Sequence, residues 1–407
     1  MIELLVIADD LTGAADTGVQ FTKNRISTAV TDLGSLNDAV LWSDFSVLVV
    51  NTSSRHSTSE DSALKVKMVC EAAAKRGVNA FYKKTDSTLR GNIGAELQSL
   101  LRSAGRERVM FIPGFPDAGR IVKNGCLFVN GVPLQETSFN SDPLNPVDTN
   151  YLPDILRKQT DLPLYSIAKG EMDNFLSDLS ERRGIFIFDS TSNDDLKEIC
   201  AVLKDASLLD FCAGPAGFAS FLAQCSEIKR RTIRSQQLSP GLLVVNGSLN
   251  SVSLRQIRTA IANGIKCFGI DDSCLNSGAI PFCIEEIVGE LKENKTVILT
   301  SALEVDDRIN QDKIHLKIGD QIGNLTKRIL EKSGEITITL FGGDTAHSVY
   351  QSLGCTHIVP VAELILGLTL CSAFSAGKCI PFISKSGGFG GPGIITELQQ
   401  FLRTRPD

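Results

Sequence analysis

Two cations, one carboxylate and two hydroxyl groups gather in one short stretch of the chain: Lys84, Thr85, Asp86, Ser87 and Arg90. Cations bind a carboxylate, and arginine does so in bidentate fashion, whereas aspartate and serine exchange hydrogen bonds with hydroxyl groups. Asp86 and Ser87 could instead cap the helix that follows. Capping does not explain why a cation stands on each side of the acid. The stretch therefore predicts a site for a small molecule that carries a carboxylate and several hydroxyls.

Side chains at two neighbouring strand ends suit the same ligand. Asp9 and Asp10 follow the first apolar run and precede a predicted helix. Adjacent carboxylates repel each other, so we expect them to have a use: one of them would bind hydroxyl groups of the ligand or act as a base. The alternative is that Asp10 or Thr12 only caps the helix. Arg55, at the next predicted strand end, is a second candidate for the carboxylate of the ligand.

A rigid turn, Pro113–Arg120, follows a further predicted strand. Its prolines and glycines fix the backbone, so a purely structural turn is the simpler interpretation. Asp117 and Arg120 become functional candidates if the turn lines the site.

Three glycine-containing turns in the second half each join a predicted strand to a helix. Glycine lets backbone N–H groups approach a ligand closely, and helix N-termini favour anions. Lys385 adds a positive charge suited to phosphate oxygens, and Asp344 could assist through Mg²⁺ or a ribose hydroxyl, or cap its helix. Three such turns together predict a polyphosphate ligand. The candidate residues are Ser248, Gly342, Gly343, Asp344, Thr345, Lys385, Gly387 and Gly388.

The common nucleotide-binding signatures do not occur in usable form in this half. G-x-x-x-x-G-K-[ST] is absent, because Gly377 and Lys378 are followed by Cys379. The run from Gly388 to Gly393 matches G-x-G-x-x-G, but a dinucleotide site needs a following strand with an acid about 20 residues further on. Only 14 residues follow Gly393. A nicotinamide-dependent oxidoreductase is therefore disfavoured.

Composition excludes several other classes. The chain has 407 residues, is 43% hydrophobic and carries a formal charge of −6 with only 6% aromatic residues, which argues against a nucleic-acid binder. The 11 cysteines contain no C-x-x-C, so reduced thiols in a cytoplasmic protein are expected rather than zinc. The apolar stretch Ile358–Ile383 is interrupted by Glu363 and Lys378, so no membrane span is predicted.

Short apolar runs alternate with helical spacing along the chain, for example at Leu4–Ala8, Val47–Asn51 and Thr296–Leu299. This alternation predicts an α/β protein of two domains, residues 1–228 and 240–407, each a mainly parallel sheet flanked by helices. Asn130-Gly131 between two extended runs predicts a β-hairpin insertion in the N-terminal domain. Ligands of such folds gather at the carboxyl ends of the strands.

These motifs resemble the four-carbon acid sugar kinase family, whose members phosphorylate threonate, erythronate or 3-oxo-tetronate. The matching strings are Ala8–Ala14, Lys84–Gly91, Gly342–Thr345 and Lys385–Gly390. The resemblance implies an N-terminal sugar-acid domain and a C-terminal ATP domain. It also implies substrate contacts from Asp10, Arg55, Lys84–Ser87 and Arg90, and ATP contacts from Ser248, Gly342–Thr345 and Gly387.

The expected reaction is transfer of the γ-phosphate of ATP, with Mg²⁺, to the terminal hydroxyl of a four-carbon acid. Asp10 or Asp86 would accept the attacking proton, and this choice is open. D-threonate is the leading substrate, with D-erythronate and 3-oxo-tetronate as alternatives. A non-catalytic sugar-acid sensor is the hypothesis from a different class, and it would need neither Lys385 nor the glycine turns. A homodimer formed through the Asn130-Gly131 hairpin is a further hypothesis.

Overall fold

The computed structural model describes residues 1–140, 142, 145–230, 238–270, 280–301 and 312–404. The chain divides into two compact units, Met1–Ile233 and Arg234–Asp407. The stretch predicted to separate the two domains, residues 229–239, includes residues 231–237, which lie outside the described residues.

The first unit contains a parallel sheet with the strand order β2-β3-β1-β4-β11-β5-β10-β9. The strands of this unit are β1 (Leu4–Ala8), β2 (Thr28–Asp32), β3 (Val47–Asn51), β4 (Phe81–Lys84), β5 (Arg108–Phe111), β6 (Arg120–Lys123), β7 (Cys126–Val129), β8 (Val132–Pro133), β9 (Leu164–Ile167), β10 (Gly184–Phe188) and β11 (Phe211–Gly214). β1 and β3 are buried along their whole length, because helices cover both faces of a parallel sheet. Their continuous apolar runs follow from that double burial.

The helices of this unit are α1 (Leu11–Lys23), α2 (Ala39–Ser43), α3 (Ser59–Ala74), α4 (Ile93–Ser103), α5 (Leu152–Arg157), α6 (Met172–Asp178), α7 (Asn193–Asp205) and α8 (Ala216–Cys225). α4 turns Ile93, Leu97, Leu100 and Leu101 toward the core, as the spacing of three and four residues predicts. The N-terminal end of α1 follows β1 directly, so the side chains after β1 lie at the carboxyl edge of the sheet.

A small antiparallel sheet, β6-β7-β8, is separate from the main sheet. β7 and β8 pair through Val129 and Val132, and the two residues between them, Asn130 and Gly131, have φ of 51° and 81°. Positive φ at both positions is the geometry of the tightest hairpin turns. The predicted β-hairpin insertion is confirmed.

The second unit has the strand order β13-β14-β12-β15-β18-β17-β16. The strands are β12 (Leu242–Asn246), β13 (Lys266–Gly269), β14 (Thr296–Thr300), β15 (Thr337–Phe341), β16 (His357–Ile365), β17 (Leu368–Ser375) and β18 (Lys378–Lys385), and the helices are α9 (Ser251–Ala262), α10 (Ile284–Lys292), α11 (Asp312–Ser333), α12 (Gly343–Ser352) and α13 (Ile394–Thr404). The pairs from β13 to β18 are parallel, whereas β17 runs antiparallel to both β18 and β16. The predicted α/β fold with mainly parallel sheets is confirmed. The antiparallel strands β16 and β17 were not predicted.

Candidate active site

In the first unit, three adjacent strands bring the predicted charged residues to one edge of the sheet. β1 lies between β3 and β4, and Ala8 pairs with Asn51. The segments that leave these strands therefore start side by side. Together they supply Asp9 and Asp10, Arg55, and the stretch from Lys84 to Arg90.

Arg55 joins the two neighbouring carboxylates after β1. It donates from Nε to Asp9 Oδ2 at 2.7 Å and from one terminal nitrogen to Asp9 Oδ1 at 3.0 Å. Its other terminal nitrogen donates to Asp10 Oδ2 at 2.8 Å. Burial alone would raise the pKa of Asp9, but the charges of Arg55 and Lys83 hold this pKa below its usual range. The repulsion expected between the two acids is thus relieved by a cation of the protein itself.

Asp10 also caps α1. Its Oδ1 accepts a hydrogen bond from the backbone N–H of Gly13 at 2.9 Å, and its Oδ2 accepts one from the Thr12 hydroxyl at 2.9 Å. The capping interpretation is therefore correct for Asp10. Capping leaves Asp10 fixed at the edge of the sheet beside Arg55, where a ligand hydroxyl could still approach it.

Asp86 is held on both sides by cations. Arg90 donates to it from Nε at 2.9 Å and from a terminal nitrogen at 3.1 Å, Thr88 donates its hydroxyl at 2.5 Å, and a terminal nitrogen of Arg55 lies 3.7 Å away. Burial alone would raise the pKa of Asp86, but the charges of Arg90 and Arg55 hold it well below its usual range. Asp86 is therefore a fixed, ionised hydrogen-bond acceptor.

Lys84 differs from the two arginines in its partners. Its side chain is buried, and its Nζ donates to the carbonyl oxygen of Thr85 at 2.9 Å. Within the described part of the chain it forms no salt bridge. A Cβ added to Gly13 would lie 2.9 Å from Lys84 Nζ and 2.4 Å from Asp10 Oδ1, so Gly13 makes room for both groups. Lys84 therefore differs from Arg55 and Arg90, whose guanidinium groups are paired with carboxylates of the protein.

The neighbouring lysine has a different role that sequence reasoning missed. Lys83 is fully buried and pairs with Glu96 of α4 at 2.9 Å. Glu96 also accepts the Ser54 hydroxyl at 2.5 Å, and Lys83 donates to the carbonyl of Lys84 at 2.8 Å. This buried pair ties α4 to the segments that carry Arg55 and Lys84. The Lys83-Lys84 repeat on a strand is the signal for it, because successive side chains point to opposite faces.

The turn after β5 and the loop after β8 also reach the cluster. Arg120 is buried, and this burial lowers its pKa. The charge of Asp86 acts to raise this pKa and the charge of Arg90 to lower it, so Arg120 lies within electrostatic reach of both. Asp117 instead accepts a hydrogen bond from the Asn193 side chain at 2.6 Å. Asp142 accepts one from Arg90 at 3.1 Å. Of the two candidates in the turn, the structure brings Arg120 to the cluster and leaves Asp117 elsewhere.

Thr85 and Ser87, the hydroxyl residues of the predicted stretch, are both buried at the same edge. Within the described residues, the Thr85 hydroxyl has no hydrogen-bond partner. A buried hydroxyl without a partner is costly unless a ligand or water completes it. This observation supports a polar ligand at the cluster.

In the second unit, the three glycine turns lie side by side. Asn246 at the end of β12 pairs with Phe341 at the end of β15, and Phe341 pairs with Lys385 at the end of β18. The first residues of the three turns are therefore in register along one edge of the sheet. A single ligand can contact all three turns only if they meet in this way.

Ser248 lies where the three turns meet. A Cβ added to Gly342 would come within 3.0 Å of Ser248 Cβ, and one added to Gly387 would lie 3.4 Å from Ser248 Oγ. Gly342 has φ of 94°, a conformation that glycine adopts without strain. The hydroxyl of Thr345 accepts a hydrogen bond from the N–H of Gly247 at 3.0 Å and so links the first turn to the second. The predicted residues Ser248, Gly342, Thr345 and Gly387 are thus brought together.

Lys385 is placed differently from the expectation that it contacts phosphate. Its side chain is fully buried, with Nζ 4.6 Å from the ring centre of Phe341. Nζ donates to the carbonyl oxygens of Ser386 and Gly387, at 3.1 Å each, and to the Ser253 hydroxyl at 3.3 Å. Burial lowers the pKa of Lys385 to about 7. Its donors are occupied by the turn and by Ser253 of α9, because the side chain points inward beneath the turn.

No group of three or more His, Cys, Asp or Glu side chains that could hold a metal occurs among the described residues. The turns contribute one exposed carboxylate, Asp344. Mg²⁺ keeps several waters and needs only one or two protein carboxylates beside substrate phosphates, so this donor set fits a nucleotide-borne Mg²⁺. In the described part of the chain, no helix combines the length and apolar character that crossing a bilayer requires.

Comparison with known proteins matches one family model to each of the two units. A family model described as a sugar-binding N-terminal domain matches residues 4–222, and one described as a nucleotide-binding C-terminal domain matches residues 243–395. The chain is 29% identical to a D-threonate kinase of Salmonella typhimurium over 98% of each protein. It is 26% identical to a D-erythronate kinase of Heliobacterium modesticaldum over 100% of this chain and 98% of that protein. It is also 26% identical to a 3-oxo-tetronate kinase of Pseudomonas fluorescens over 95% of this chain and 94% of that protein.

Solved structures of similar fold include a Salmonella typhimurium protein, with a TM-score of 0.76 at 21% identity, covering 98% of this chain and 100% of that one. A Bordetella bronchiseptica protein matches with a TM-score of 0.50 at 25% identity over 99% of each chain, and it was solved as a domain-swapped dimer with bound citrate. At 21% identity, the similarity to the Salmonella typhimurium structure shows only that the fold is shared.

Proposed function

The chain belongs to the four-carbon acid sugar kinase family, and from that premise we propose that it phosphorylates the terminal hydroxyl of D-threonate with ATP. The observation that carries the proposal is the pairing, in one chain, of a charged cluster with spare hydrogen-bonding capacity and of three glycine turns in register. A sensor of sugar acids would need only the first of these two features.

Lys84 is proposed to bind the carboxylate of the sugar acid. Its ammonium is buried at the cluster and forms no salt bridge in the described part of the chain, so the carboxylate of a ligand could pair with it directly. Arg55 and Arg90 were expected to share this task. Both are engaged by Asp9, Asp10 and Asp86, and we now propose that they chiefly fix these acids while adding positive charge to the cluster.

Asp10 and Asp86 are proposed to accept hydrogen bonds from the hydroxyls of the substrate. The attacking hydroxyl must lose its proton as the phosphoryl group arrives. The low pKa of Asp86 makes it a weak base, which favours Asp10 as the acceptor of this proton. Asp86 would then orient a second hydroxyl.

The three turns of the second unit are proposed to bind ATP. Ser248 and the backbone N–H groups at Gly342–Thr345, Gly387 and Gly388 would contact the phosphates, as anions favour glycine turns at helix N-termini. Mg²⁺ supplies charge neutralisation on the phosphates when bound, and Asp344 is the proposed protein ligand. Lys385 is proposed to hold the third turn rather than to touch phosphate.

A panel assay tests this function. The protein is incubated with ATP, Mg²⁺ and either D-threonate, L-threonate, D-erythronate or 3-oxo-tetronate, and ADP release is measured. We expect the highest kcat/KM with D-threonate, the substrate named for the Salmonella typhimurium relative. A higher kcat/KM with D-erythronate or 3-oxo-tetronate would make that acid the substrate in place of D-threonate and would leave the kinase reaction as proposed.

Calorimetry with ATP separates the kinase from a sensor, which should ignore the nucleotide. ADP release with none of the sugar acids would refute the proposal, provided that circular dichroism shows the protein to be folded.

We also propose that the chain forms a homodimer through the β7-β8 hairpin. Val132, at the start of β8, is an exposed apolar side chain there, and the Bordetella bronchiseptica protein is a dimer. Sedimentation velocity of the protein and of Val132→Lys tests this. We expect a dimer that the substitution shifts toward monomer, and a monomer at all concentrations would contradict it.

A further inference from the structure

The third glycine turn, residues 386–391, rests on buried side chains that hold its carbonyl groups. Lys385 Nζ donates to the carbonyl oxygens of Ser386 and Gly387 at 3.1 Å each. The hydroxyl of Ser253 in α9 donates to the Gly387 oxygen at 3.1 Å. The first half of the turn is therefore fixed from below by α9 and by the end of β18.

Gln256, one turn further along α9, holds the second half. Its Nε2 lies 3.0, 2.8 and 3.1 Å from the carbonyl oxygens of Phe389, Gly390 and Gly391. The side chain is fully buried, and its Oε1 has no hydrogen-bond partner within the described residues. Burying an amide with an unsatisfied oxygen costs free energy, and the contacts of Nε2 with the turn offset part of this cost.

These contacts determine where the N–H groups of the turn point. In a planar trans peptide, the N–H of one residue points opposite to the carbonyl of the residue before it. Carbonyls drawn inward therefore direct the N–H groups of the following residues outward, away from α9. The residues concerned are Gly387, Gly388, Gly390 and Gly391. Within the described part of the chain, none of these four N–H groups donates to a protein acceptor.

Outward N–H groups in a turn form a site for an anion. Ser248 of the first turn lies beside Gly387 and adds a hydroxyl donor at the same place. No protein oxygen of the described residues occupies these N–H groups, so the oxygens of an anionic ligand can take the place of water as their acceptors.

We propose that Gln256 and Ser253 are positioning residues that present the N–H groups of residues 387–391 to the phosphates of the nucleotide. The inference rests on the proposed function, because it needs a nucleotide in the second unit. Neither side chain needs to touch the ligand, since each acts through the carbonyl groups that it holds.

The test replaces Gln256 with Met, which has similar length but no donor. Calorimetry measures the Kd of ATP, and steady-state assays give the KM for ATP, the KM for the sugar acid and kcat. We expect Gln256→Met to weaken ATP binding about tenfold or more, the fold-change that corresponds to about 1.4 kcal/mol. The KM for the sugar acid should stay within about twofold of its original value, because its cluster lies in the other unit.

Gln400→Met is the matched control, since Gln400 is exposed on α13 of the same unit. It should leave the Kd of ATP unchanged. Ser253→Ala is the milder second variant, and it decides the question if Gln256→Met fails to fold by circular dichroism. We expect it to weaken ATP binding about threefold, in the same direction.

Two failures are distinguishable. If the unaltered protein binds no ATP, the proposed function is refuted, and this inference with it. If the unaltered protein binds ATP and the folded variants bind it equally well, the inference alone is refuted. A rise in the KM for the sugar acid that equals the rise in the KM for ATP would also refute it, because it would show a general structural defect.

Discussion

Replacing Lys385 with Met should remove a pH-dependent contribution to the stability of the second unit. The ammonium of Lys385 is fully buried beneath the third turn and next to the Phe341 ring. Burial lowers its pKa from 10.5 to about 7. This burial disfavours the charged form because the site is poorly solvated, and the hydrogen bonds to Ser386 and Gly387 compensate only in part.

The sign follows from proton counting. Between pH 7 and 10.5, the unfolded chain binds a proton on Lys385 that the folded chain does not bind. Stability therefore rises with pH in this window, and the cost of burying the charge is fully present below the folded pKa. One pKa unit corresponds to about 1.4 kcal/mol, so the free energy of unfolding should gain about 2 kcal/mol from this group between pH 7 and 9.

The effect is measured by urea unfolding at pH 7, 8 and 9, with circular dichroism as the signal for unfolding. Fluorescence of Trp42, the single tryptophan, reports the first unit separately. The packing and hydrogen bonds lost in Lys385→Met lower the free energy of unfolding by the same amount at each pH. The titration of Lys385 adds a pH-dependent part, so the difference in free energy of unfolding between the parent protein and the variant should grow by about 2 kcal/mol from pH 7 to 9. Lys378→Met, at the exposed start of the same strand, is the control and should show a constant difference. A constant difference for Lys385→Met as well would refute the reasoning.

Three substitutions test the sugar-acid cluster. Asp86→Asn should lower kcat by about a hundredfold or more, because it removes the fixed charge opposite Arg90. Calorimetry should find the affinity for ATP near normal. An equal loss of ATP binding would show that the residues are wrongly divided between the two sites. Lys84→Met should raise the KM for the sugar acid about tenfold or more, since a charge-assisted bond is lost, whereas Lys123→Met at the exposed end of β6 should not. Gly13→Ala should reduce activity, because its Cβ would stand 2.4 Å from Asp10 Oδ1; activity equal to that of the parent protein would show that the cap can move aside.

Strands buried on both faces were predictable because their sequences are continuously apolar. Leu4–Ala8 and Val47–Asn51 were predicted with the bounds that the structure shows. β2, Thr28–Asp32, was missed, since threonine and aspartate interrupt its apolar pattern although every residue in it is buried. Local sequence does not reveal that the neighbouring strands and helices cover these polar side chains.

The antiparallel strands β16 and β17 were hidden in an apolar stretch that was considered only as a membrane span. Their turn contains Gly367, with φ of 78°, and an added Cβ there would stand 2.4 Å from the Phe389 ring. The need for glycine at this position comes from its positive φ and from the close approach of Phe389, which is distant in sequence. A lone glycine therefore gave too weak a signal for a hairpin.

The location of both sites at strand ends followed from the sequence, but the partners of each charge did not. Lys83 and Lys84 are adjacent on β4, and strand alternation predicts that only one of them faces the cluster. The choice is made by Glu96 on α4, which pairs with Lys83 at 2.9 Å, whereas Lys84 forms no salt bridge in the described part of the chain. Lys385 was assigned to phosphate for the same reason that Lys83 could have been assigned to a carboxylate: a cation at a strand end suits an anion. In each case, the decisive fact is which buried acceptor the fold brings within reach of the ammonium, and this is a property of the packed structure.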